Sequence, residues 1–173
     1  MGHESCGACG FDGELMSDAQ VLDEIEALGP AWREILDEAG DDVDRRPEPE
    51  TWSALEYAAH SRDITALHNF LVEAALESDE PVLPEVDGAG LIDDAAAGYA
   101  ALDPGVVAEE LEFETGGLAA RAAAVDRSAW SRGITIGTAR QDIRAVLEHG
   151  LHDSHHHLVD VRRGLAQLRA AGG

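Results

Sequence analysis

The chain has 173 residues, 45% of them apolar, which is enough for one domain with a buried core. Its formal charge of −23 sets 35 Asp and Glu against 12 basic residues, every one of them Arg. So acidic a surface repels phosphate backbones and excludes nucleic acid as a partner, and no apolar run approaches the ~20 residues of a membrane span.

Residues 1–16 read as a cysteine-containing leader and residues 17–173 as a single helical domain. The start of the chain, MGHESCGACGFDG, carries neither the basic nor the apolar region of a signal peptide, so a cytoplasmic location is expected. Its Cys6 and Cys9, the only cysteines, form one CxxC, which supplies half the ligands of a four-ligand zinc site. His3 extends the pattern to HxxCxxC and still leaves one position open. Three readings stand: a zinc knuckle completed elsewhere, a reduced pair without function, or a redox pair. The last normally opens a helix in a βαβ setting, which this sequence does not provide.

Ser17 and Gln20 make a capping-box pattern before SDAQVLDEIEALG, and the helical spacing resumes in AWREILDEAG after Gly29-Pro30, where a break or kink is expected. The polar GDDVDRRPEPET ends this first helix near residue 40. Thr51, or Ser53 with Glu56, starts a second helix with an apolar stripe at Tyr57, His60, Ile64, Leu67 and Leu71, which turns His60 inward. His68, a little over two turns further on, reads as structural or exposed. Residues 77–102 form one long crossover loop. Asp103-Pro104 caps a third helix that runs to about Val125. A loop follows, with a short extended piece at Ile134–Ile136. Thr138 with Gln141 is then a second capping box, opening a fourth helix that ends near Arg169. The fold expected is all-α, a four-helix bundle with one long crossover.

The last helix holds HGLHDSHHHLVDVRRG, with five of the chain's eight histidines. At ~100° per residue, Ile143, Leu147, Leu151, Leu158, Val161, Leu165 and Leu168 fall on one arc. His157 lies within that arc and Asp153 at its edge. His152 and His156 point to nearly the opposite side, toward water; His155 sits on a flank and His149 mostly outward. Asp153 and His157, four apart, stand one above the other and can grip a single ion. His60 is the natural third ligand, leaving one position for water or substrate as in a catalytic metal site. A lone inward histidine is more often a hydrogen-bonded core residue. Two of them beside a carboxylate favour a metal, because burying such groups unpaired is costly.

Three patches resemble a known family. WSALEYAAHSRD from Trp52 resembles the second-helix signature of the DinB-like superfamily. His152 to Val161 resembles the H-E-x-x-H-H-L-x-D-I pattern of its actinobacterial branch, which includes mycothiol-dependent maleylpyruvate isomerases, and CGACGFDG resembles a leader of some members. By position, the family's metal ligands fall on His60, Asp153 and His157; where the family usually has Glu or His, this chain has Asp153, one methylene shorter than Glu. The resemblance implies a metal-dependent S-transferase or isomerase that uses a low-molecular-weight thiol of the mycothiol type on small electrophiles. A divalent metal is implied, Zn first, with Ni or Fe also suited to a His/carboxylate set. Glu56, Asp160 and Arg163 are candidate supporting groups, and pairing of exposed helix faces into a homodimer is expected. The rival expectations are a non-catalytic metal-binding or stress-associated bundle, and an interaction module built around zinc at His3, Cys6 and Cys9.

Overall fold

Side-chain caps decide where the helices begin. In the computed structural model, which describes residues 3–85, 98–124 and 126–172, four long helices carry the fold. They are α1 (Asp18–Ala39), α2 (Ala54–Glu77), α3 (Pro104–Ala123) and α4 (Ile143–Gly172). Ser17 with Gln20 and Ser53 with Glu56 form reciprocal capping boxes at α1 and α2. Asp103 accepts from the Val106 amide, and Pro104 supplies the preset first turn of α3.

The helices form a four-helix bundle in which α1 and α2 each pack against both α3 and α4 but scarcely touch one another. Sequence neighbours α1 and α2 thus sit across a diagonal, and α3 and α4 take the other. The core runs through Val21, Ile25, Trp32, Leu55, Leu111, Leu118, Leu147 and Leu151, all 2% exposed or less. Among the described residues, no helix is long and apolar enough to cross a membrane.

Several expectations need correction. α1 is continuous through Pro30. The proline removes one backbone hydrogen bond, but Ile25, Leu28, Trp32 and Ile35 are buried on either side of it and hold the helix to its neighbours. Gly29 serves a different purpose from breaking the helix: a Cβ there would sit 2.7 Å from Thr115 Oγ1 and 3.2 Å from the Glu112 Cα, so α1 and α3 approach closely at this point.

The stripe on α2 is displaced. Leu67 is 48% exposed, while Ala58, Ala59, Thr65, His68, Val72 and Ala75 are buried. Two helix neighbours give α2 a broad buried arc, and alanines line much of it. His60 remains buried, and so does His68, whose Nδ1 donates to the Ile64 carbonyl at 2.7 Å.

Thr138 and Gln141 do not open α4. They belong to a hairpin of β4 (Gly133–Ile136) and β5 (Ala139–Asp142), with Ile136 opposite Ala139. Gly137 has φ +61°, the pattern of a type II′ turn with glycine at its first central position. Asp142 caps α4 instead, accepting from the Ala145 amide at 2.8 Å.

The crossover is partly structured, because β3 (Val82–Leu83) lies parallel to β4. Its two closely spaced glycines fall outside the described residues, and α3 ends at Ala123, before the expected Val125.

A second, two-stranded sheet forms in the leader, where β1 (Ser5–Cys6) pairs antiparallel with β2 (Phe11–Asp12). It lies on α4 and covers the helix face that bears His152 and His156. Neither residue faces water as their angles on an isolated helix suggest.

Candidate metal centre

The hydrophobic arc of α4 fixes which side chains border the bundle interior. Ile143, Leu147, Leu151, Leu158, Val161, Leu165 and Leu168 are all buried, and the small Gly150 and Ser154 lie among them. Asp153 and His157 stand at the edge of this arc, about one fifth exposed, facing His60 on α2. The structure brings the three together. Asp153 Oδ2 lies 3.8 Å from His60 Nε2, Asp153 Oδ1 lies 3.6 Å from His157 Nε2, and the two imidazole centroids are 5.0 Å apart.

One donor atom from each of these residues falls within 4.8 Å of the others. Asp153 Oδ2 and His60 Nδ1 are buried without a hydrogen-bond partner among the described residues. A buried carboxylate oxygen left unpaired is costly, and a cation among the three residues would satisfy it. The donor set therefore fits a divalent metal.

Local electrostatics prepare these groups. Burial alone would raise the Asp153 carboxyl, but the His60 and His157 rings outweigh it and hold the group below the usual carboxylate range. Burial lowers His157, against the pull of Asp153 and Asp160. An ionised carboxylate and a neutral imidazole are the ligand forms of these side chains. His157 Nδ1 donates to Asp160 Oδ2 at 3.4 Å, which leaves Nε2 directed at Asp153. Aromatic rings wall the site: Trp52 lies 5.4 Å from His60, and Tyr57 lies 4.9 Å from His157.

Of the candidate supporting groups, Asp160 alone contacts the trio. Glu56 is turned away to Arg46 and to the Ser53 amide. Arg163 donates to the Ala8 carbonyl at 2.6 Å and lies 3.6 Å from Asp160 Oδ1, so it ties the leader down.

The leader brings a second group of residues to α4. Cys6, Cys9, His152 and His156 also place one donor atom each within 4.8 Å of one another. His3 is not among them; its Nδ1 is 2.9 Å from Glu148 Oε2. The neighbouring His152 ring, then the Cys9 and Ala8 amides, bring the Cys6 thiol down to about 6. Burial pushes Cys9 up. The sequence signals for this group are the CxxC of Cys6 and Cys9 and the i, i+4 histidine pair, which faces water on an isolated helix until the leader returns to cover it. A cleft of about 290 Å³ lies between the leader, α1 and α4, bordered by Phe11, Met16, Gln20 and His155, and it does not include the trio.

Fold and site together define a four-helix bundle with a His/Asp centre at the edge of its core. A solved structure with the same architecture is that of a Bacillus subtilis protein described as "YfiT from Bacillus subtilis is a probable metal-dependent hydrolase with an unusual four-helix bundle topology". The two chains superpose with a TM-score of 0.75 over 90% of this chain and 91% of that one, at 14% identity. The likeness establishes a shared fold. No protein-family model and no curated protein matches the sequence.

Proposed function

We propose that His60, Asp153 and His157 hold one divalent metal, Zn first with Ni or Fe as alternatives, in an enzyme acting on small electrophiles with a low-molecular-weight thiol. The observation that carries the metal is Asp153 Oδ2, buried and unpartnered, 3.8 Å from a histidine nitrogen on another helix. Three protein ligands leave a position for a small molecule, the composition of a catalytic rather than a structural centre. When bound, the metal supplies positive charge that lowers the pKa of a thiol or water held at that position.

The chain's own residues do the rest. Asp160 holds the proton of His157 at Nδ1 and so directs Nε2 into the site. Trp52 and Tyr57 give the site an apolar rim that excludes water. The S-transferase or isomerase reading, with a mycothiol-type thiol as cosubstrate, rests on the DinB-like resemblance in WSALEYAAHSRD and HDSHHHLVDV. The description of YfiT favours a second reading, in which water replaces the thiol and the reaction is a hydrolysis. The proposal includes a cytoplasmic setting and a homodimer, which the exposed Phe70 on α2 and Phe113 on α3 favour.

Elemental analysis of the wild type and His157→Ala, each purified with its metal, tests the centre. Full metal content in the variant overturns it. Mycothiol-dependent conversion of maleylpyruvate, run beside hydrolysis of activated esters, separates the two chemistries. Metal-loaded protein inert in both assays supports the non-catalytic metal-binding or stress-associated bundle instead.

A further inference from the structure

The α4 helix carries two ligand-bearing pairs offset by a single residue: Asp153 with His157, and His152 with His156. The first pair meets α2. The second meets the leader, and its surroundings differ in kind. We propose that Cys6, Cys9, His152 and His156 form a second metal site, a closed four-ligand zinc centre that clips the leader onto α4.

The leader presents its two sulfurs on one tight turn. The Gly10 amide donates to the Cys6 carbonyl at 2.8 Å, and β1 and β2 pair on either side of it. Cys6 Sγ lies 3.5 Å from His156 Nδ1. A tetrahedral zinc with bonds of about 2.3 Å to sulfur and about 2.05 Å to nitrogen separates a sulfur from a nitrogen by about 3.5 Å. All four donor atoms already lie within 4.8 Å of one another, so the site needs side-chain adjustment and no rearrangement of the backbone.

His152 supplies an independent observation. Its Nε2 is buried and has no hydrogen-bond partner among the described residues, while Nδ1 donates to Glu4 Oε2 at 2.5 Å. The carboxylate fixes the proton on Nδ1 and leaves a lone pair on the buried Nε2. His156 has the complementary arrangement: Nδ1 faces Cys6, and Nε2 lies 3.4 Å from Asp160 Oδ2. Each histidine therefore has a carboxylate on the nitrogen that does not face the cysteines, the outer partnership that metal-bound imidazoles use. Phe11 stacks on the His152 ring at 4.8 Å between centroids and covers it.

Two thiolates and two neutral imidazoles balance the charge of a divalent zinc. With four protein ligands no position remains for water or substrate, so this centre is structural. It also fixes the α4 turn from which Asp153 and His157 project.

Cobalt substitution tests this on the full-length protein. The wild type is expected to bind two metal ions per chain and to show the intense thiolate-to-cobalt absorption of a tetrahedral sulfur-ligated site. Cys6→Ser with Cys9→Ser is expected to bind one ion and to lose that absorption. His157→Ala is expected to keep it, so this result stands or falls independently of the trio. A second readout needs no variant: both thiols of native zinc protein should resist a thiol reagent until a strong chelator is added. Absence of the thiolate–cobalt band, equal metal content with and without the cysteines, thiols freely reactive without chelator, or a Cys6–Cys9 disulfide in protein kept under reducing conditions would each overturn the proposal.

Discussion

Nε1 of Trp32 donates a 2.7 Å hydrogen bond to Oγ of Ser154, and both residues are buried. The bond joins α1 to α4 next to Asp153, so it holds the site-bearing turn of α4 against the core. Replacing Ser154 by Ala leaves an indole N–H with no acceptor in the interior. The expected loss is about 1–3 kcal/mol, read as a lower urea midpoint with an unchanged slope. A midpoint equal to that of the wild type would mean that the indole finds another partner.

Asp160 Oδ2 lies 3.4 Å from both His157 Nδ1 and His156 Nε2, so one carboxylate serves both histidine pairs. Asp160→Asn is expected to lower metal affinity by about 10–100-fold, measured by chelator competition. Unchanged affinity would show that the carboxylate does not orient these rings.

Acid should act through Glu56 at the start of α2. Burial alone would raise its carboxyl, but Arg46 and the Ser53 amide outweigh this and hold it below the usual carboxylate range. A carboxyl lowered in the folded state contributes stability that is present above its unfolded value, about 4.3, and lost as pH falls through the folded one. Melting temperature followed from pH 7 to pH 3 should fall less steeply below about pH 4.3 in Glu56→Gln than in the wild type. The variant starts from a lower value at neutral pH. Parallel curves would assign the acid sensitivity to other groups.

Gly29→Ala sets two effects against each other. Alanine is favoured over glycine within a helix by about 1 kcal/mol, but overpacking a close contact costs about 1–3 kcal/mol. The added Cβ would meet Thr115 Oγ1 at 2.7 Å and the Glu112 backbone at 3.2 Å, and backbone yields poorly, so net destabilisation is expected. Thermal unfolding gives the sign directly. A higher melting temperature would show that α1 and α3 can separate without loss.

The features legible in the sequence are those set by local chemistry. The caps at Ser17, Ser53 and Asp103 act on amides only three residues away, and the arc of α4 follows from its own periodicity. His60, Asp153 and His157 could be singled out because each lies on or at the edge of an apolar face. The misread features depend on distant chain. Thr138 and Gln141 match a capping box, yet the positive φ of Gly137 and the pairing with Gly133–Ile136 make a hairpin. His152 and His156 face water on an isolated helix, and only the return of residues 3–12 to α4 covers them. Pro30 breaks a helix by itself but not one gripped by neighbours on both sides.

That return has a consequence for synthesis. The contacts of Glu4 with His152 and of Ala8 with Arg163 span 148 and 155 residues, almost the length of the chain. The leader leaves the ribosome before α4 and can take its seat only after α4 has been made, and so long a loop closes at an entropic cost. Throughout that interval Cys6 and Cys9 travel without His152 and His156. Their fate in those seconds is decided by the thiol and metal chemistry of the surrounding solution, before the protein has any means of selecting it.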